Sequence, residues 1–88
     1  MEIEEFEWDD ANSEHISRHR VTVNECNQVI WGEDYFVRPN KKGTAQTHVV
    51  IGRTFGGRWL FIPIRPTNQP GVWRPASART AEVHETQR

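Results

Sequence analysis

Apolar and polar positions alternate from Glu2 to Trp8, with Phe6 and Trp8 on one parity, which is the period of a short strand with a polar edge. A carboxylate at Asp9 or Asp10 suits the start of a helix, because it accepts the free amide hydrogens of the first turn and faces the positive end of the dipole. A first helix is therefore predicted from about Ala11 to Arg18, with Glu14 and Arg18 spaced for a weak surface pair. Thr22 precedes Glu25 by the spacing of a capping box, and Cys26, Val29 and Ile30 follow at helical intervals. A second helix is predicted from about Val23 to Trp31, stopped by a left-handed Gly32.

Beyond Gly32 the period changes to that of strands. Tyr35 to Val37 reads as a short strand ended by Pro39, and Asn40 to Gly43 as a basic turn carrying Lys41 and Lys42. His48 to Arg53 and Arg58 to Ile64 are β-branched and aromatic runs about a Gly56-Gly57 turn, the signature of a hairpin. Val72 to Arg79 is a last strand interrupted by Pro75, which has no amide hydrogen for a ladder. One or two helical turns fit Thr80 to Arg88. The reading is one α+β domain over residues 1–88: β-α-α, then an antiparallel meander of about four strands and a short C-terminal helix.

At 88 residues the chain can hold one modest core, and its four tryptophans and four phenylalanines supply large units of burial. No run approaches the roughly 18 apolar residues of a membrane span, and the acids from Glu2 to Glu7 contradict a signal peptide, so a cytoplasmic protein with no membrane role is expected. Cys26 is the only cysteine and is expected to be a buried, inert thiol.

The net charge of −1 conceals a segregation. Residues 1–34 carry ten acids against Arg18 and Arg20, whereas residues 35–81 carry eight cations and no acid. An anionic partner such as RNA follows for the basic stretch, and a basic partner for the acidic one. The alternative is that the surfaces are merely solvated or neutralise each other within the fold.

Arg53, Arg58, Arg74 and Arg79 lie on or beside the expected strands, and a planar guanidinium can grip two phosphate oxygens together. Arg53, Arg74, Lys41 and Lys42 are the candidate RNA-binding residues. His48 and His84 titrate in the range useful for proton transfer, although a half-buried strand residue and an unperturbed surface histidine are the plainer readings. His15 and His19, four apart, could bridge a metal, but no third ligand is placed, and packing or surface roles are preferred. Trp59 and Trp73 alternate with Arg58 and Arg74, which would place the tryptophans in the core and the arginines outside.

Phe6-Glu7-Trp8-Asp9, His15, Arg18-His19, Ile51-Gly52, Gly57-Arg58, Ser77-Ala78-Arg79 and Glu85 form an ordered set across nearly the whole chain. This set resembles the BrnT toxin family. The resemblance implies a RelE-like fold and RNA degradation without a cofactor or metal, with Arg58, Arg79 and Glu85 matching the motif and His48 added as a proton-transfer candidate. It also implies a BrnA-like antitoxin that contacts DNA itself, so that the toxin meets DNA only indirectly, in an assembly of two toxins with two antitoxins. The sequence departs from the family where Lys42 to His48 carries no acid, where Thr86 follows Glu85, and at Pro63 and Pro75. Those departures support a second reading, a BrnT-like module that binds RNA or antitoxin without cutting.

Overall fold

The helical and strand periods separate in space much as they do along the chain. In the computed structural model, which describes residues 1–41 and 43–87, the elements are β1 (Glu5–Phe6), α1 (Asp10–Ser17), α2 (Val23–Trp31), β2 (Tyr35–Pro39), β3 (His48–Arg53), β4 (Trp59–Pro66), β5 (Val72–Pro75) and β6 (Arg79–Thr80). A 3-10 helix, Val83–Thr86, follows. The fold is α+β, and the described residues form two α-helices and one six-stranded mixed sheet in the order β1-β5-β4-β3-β2, with β6 on β4.

Both helices begin where the caps place them. The Asp9 carboxylate accepts from the Asn12 amide while the Asn12 side chain accepts from the Asp9 amide. Thr22 and Glu25 make the same reciprocal exchange, each such cap contributing about 1 kcal/mol. Gly32 ends α2, but with φ of −78°; the left-handed residue is Glu33, at φ 60°. Gly32 is wanted instead for space, since a Cβ there would come within 3.2 Å of the Gln28 carbonyl and 3.4 Å of the Phe55 ring.

α2 lays Cys26, Val29 and Ile30 against Val50, Leu60, Ile62 and Ile64 of β3 and β4, and Ile3, Phe6, Ile16, Val21 and Ala78 close the cluster. Each fully buried aliphatic side chain stabilises by about 1.5–3 kcal/mol. The close approach of α2 depends on Gly52, where a Cβ would lie 2.7 Å from Val29 Cγ1 and 2.5 Å from Tyr35 Cβ. Cys26 is fully buried, and that burial pushes its thiol up to about 12, so it is inert.

The sheet departs from a simple antiparallel meander in two ways. β1 pairs in parallel with β5, Glu5 with Val72 and Phe6 with Trp73. A parallel pair needs a long crossover, and here the connection is the body of the domain. The single last strand is in fact two. β5 pairs with the Ile64–Pro66 end of β4 and β6 with Leu60 and Phe61. The break follows Pro75: the chain returns one bond, from the Ala76 amide to the Pro63 carbonyl, buries Ala78, and rejoins β4 at Arg79. Two smaller differences are that β2 runs on through Pro39, an edge position that tolerates proline, and that the C-terminal helix is a single 3-10 turn.

Candidate functional site

Strand alternation that sends Leu60, Ile62 and Ile64 toward α2 sends Trp59, Phe61 and Pro63 to the other face, beside Arg53, Ile51 and Val49 of β3. Trp59 is therefore half-buried under Arg53, whose guanidinium lies 5.3 Å from its ring centroid, and is not part of the helix-side core. Trp73 does pack against that core. On the far face β6 brings Arg79 opposite Phe61, with the guanidinium 4.0 Å from the ring centroid.

The 3-10 helix then turns Glu85 back toward the sheet. Arg79 donates from Nη1 and Nη2 to its two carboxylate oxygens at 2.8 and 2.7 Å, and the Glu82 amide donates to Glu85 Oε1 at 2.8 Å. The Arg79 bonds hold the Glu85 carboxyl down to about 2 despite its burial, so it is a fixed anion, and Arg79 is held above the usual arginine range by the same bonds.

Two hollows flank this pair. One, of about 300 Å³, is lined by Arg38, Lys41, Val49 and Glu85; the other, of about 410 Å³, by His19, Gln46, Pro63, Ser77 and Arg79. They meet at Asn40 and Phe61, which line both. Among the described residues Arg38 and Lys41 carry no ion pair, so their charge faces the trough uncompensated. The free charges of Arg38 and Lys41 beside the Arg79–Glu85 pair make the trough suited to an anion such as a phosphodiester.

Arg79, Glu85 and Lys41 come together in this way; Lys42 lies outside the described residues. Arg58 and His48 are elsewhere. Arg58 faces the helices, donating from Nη1 to Glu25 and to the Arg20 carbonyl at 2.8 Å, and from Nη2 to Thr80 Oγ1 at 2.9 Å. His48 stands in the α2-side row of β3, edge-to-face with Trp73 at 5.3 Å, and is the one catalytic candidate in a wider hollow of about 590 Å³ along β2. That hollow exceeds either hollow of the trough in volume but contains no paired cation and acid from the candidate set, so the chemistry favours the trough.

The other candidate RNA-binding arginines are also engaged. Arg53 donates to Asp34 and Arg74 to Glu7 and Asp9, and those bonds from Arg74 hold Asp9 below the usual carboxylate range. Thus Arg53, Arg58 and Arg74 meet acids from the first 34 residues, and for these three the charge segregation along the chain is internal neutralisation. His84 is exposed, 3.5 Å from Glu82. His15 and His19 pack ring to ring at 5.7 Å, and among the described residues no group of three potential ligands could hold a metal ion.

Phe61 was not marked by the sequence as a site residue, and His19 was noted only for its spacing from His15 and within the Arg18-His19 piece of the resemblance. Phe61 was one apolar position in an alternating strand, and only its pairing with Arg79 distinguishes it. His19 follows the end of α1, and only the fold carries it to the trough. Comparison with protein families, with curated proteins and with solved structures returns no match. Among the described residues no helix is long and apolar enough to cross a membrane.

Proposed function

We propose that this chain is an RNA-cleaving toxin of the BrnT kind, with a RelE-like fold, acting in the cytoplasm and neutralised by a BrnA-like antitoxin. The observation that carries the reading is the Arg79–Glu85 pair over Phe61, set in a trough that Arg38 and Lys41 make cationic. In metal-independent cleavage the ribose 2′-oxygen attacks the adjacent phosphorus, the bond to the 5′-oxygen breaks, and a 2′,3′-cyclic phosphate is left. One proton leaves the 2′-hydroxyl and one reaches the departing 5′-oxygen. Arg79 is suited to the negative charge that builds on the phosphate oxygens, because Glu85 fixes its plane. Glu85 itself is too weak a base while bonded to Arg79, so its role is positioning. His19, in the same hollow as Arg79, is the side chain suited to proton exchange.

A second reading, a module that binds RNA or antitoxin without cutting, is favoured by the locked state of Glu85 and by the lack of acid from Lys42 to His48. For the antitoxin, Glu2, Glu4, Glu5 and Asp10 remain exposed beside β1, an anchor of the right charge for a basic helix, and two such pairs would give the two-plus-two assembly. The deciding experiment incubates purified wild type and Arg79→Ala with total RNA in chelator. Cleavage by the wild type and its loss in Arg79→Ala is the expected result. No cleavage by the wild type would leave the binding module.

A further inference from the structure

β4 and β5 set Arg65 directly opposite Arg74. Like charges across an antiparallel pair repel, and only one of these is answered: Arg74 is bound to Glu7 and Asp9, with its side chain 18% exposed. Arg65 is exposed and has no ion pair among the described residues. α1 brings His15 to the same place, and Arg65, Arg74, His15 and Asn12 line a third hollow of about 260 Å³. Gln46 and Ala76 line both this hollow and the one that holds Arg79 and His19. The Oε1 of Gln46 is buried with no donor among the described residues, at the wall between the two. A turn of that carboxamide would offer its oxygen to a base amino group.

The three hollows therefore follow one another, each sharing two residues with the next. Uncompensated cations stand at the two ends, Arg38 and Lys41 at one and Arg65 at the other, with Arg79, paired to Glu85, between them, and the rings of Phe61, His19 and His15 lie along the way. We propose that they form one continuous track for single-stranded RNA, with Arg65 and His15 making a contact region beyond the point of cleavage. The strand's phosphates follow the cations and its bases turn onto the rings. A duplex cannot use the track in this way, because its bases stay stacked on each other. This inference rests on the reading of the chain as acting on RNA and adds the strandedness and the second contact region.

The test is fluorescence anisotropy with a short 2′-O-methyl RNA, which cannot be cut by its own 2′-oxygen, offered as a single strand and as a duplex across a range of salt. The single strand should bind more tightly than the duplex. Arg65→Gln should weaken binding several-fold and lower the salt slope by about one. His15→Ala should weaken it by about tenfold with the slope unchanged. Both positions are exposed, and circular dichroism checks that each variant is folded. Wild-type affinity and slope in both variants would overturn the track while cleavage of total RNA still stood. Equal affinity for the duplex would overturn the strandedness. No binding of either form by the wild type would remove the track and the RNA reading together.

Discussion

Arg79 and Glu85 lie six residues apart and close on each other through two parallel hydrogen bonds, with the acid side chain 9% exposed and the arginine 36%. One partner is sunk and the other half open, so the pair works as a strut: the buried carboxylate sets the plane of the guanidinium whose open side borders the trough. Removing either partner leaves the other uncompensated, and for the buried carboxylate that is the costlier loss.

The pair should be visible in acid unfolding. Glu85 has a folded value of about 2 against an ordinary 4.5, so its contribution is fully present above 4.5 and is lost as pH falls toward 2. We expect about 2 kcal/mol of stability to disappear over that window, after allowance for the exposed side of Arg79. Glu85→Gln should be less stable at neutral pH and flatter in acid. An unchanged acid slope in the variant would contradict this account.

Arg58 ties the loop after α1, the start of α2 and β6 to the beginning of β4. Arg58→Ala should cost about 1–3 kcal/mol, read as a fall in Tm of roughly 4–8 °C for each kcal/mol. Its residual folded fraction should still cleave RNA. A variant with wild-type Tm but no cleavage would instead give Arg58 the catalytic part that the sequence suggested.

Asn12 is buried, and its side-chain nitrogen donates to the Glu7 and Pro75 carbonyls at 3.0 and 2.9 Å. Asn12→Ala removes the cap partner of Asp9 and leaves two carbonyls without a donor, a loss of about 2 kcal/mol. Urea unfolding should show a lower midpoint at the same slope. Asn12→Asp, which lacks the donors, should fare no better.

At Gly52 even one methyl group meets the Asp34 carbonyl at 2.8 Å as well as Val29 and Tyr35. Gly52→Ala should therefore destabilise by about 1–3 kcal/mol through displacement of α2. A neutral result in thermal unfolding would mean that α2 and β2 can move apart freely.

What could be read from the sequence was local. The Thr22 and Glu25 cap and the spacing of Cys26, Val29 and Ile30 define α2 within ten residues, and the turn at Gly56-Gly57 defines the hairpin. Nothing near Glu5 tells that it pairs with Val72, because the parallel register is set by distant packing. Charge behaved similarly: listing it in order exposed a basic stretch but not that Glu25, Asp34 and the Glu7–Asp9 pair would claim Arg58, Arg53 and Arg74. Of the trough, Arg79, Glu85 and Lys41 were marked by residue type and resemblance. Phe61 and Gln46 became visible only when three segments met, and only then did His19, noted for its spacing from His15, join the trough.

The parallel pairing of β1 with β5 also has a kinetic meaning. Strands so far apart in sequence join late, because closing a long loop costs entropy before any bond repays it. Until β1 docks, β5 has a bare edge and Arg74 no acid beside it, while β2, β3 and β4 are already held by their hairpins. The N-terminal strand is thus expected to act as a latch, the last piece to seat in folding and the first to lift in unfolding.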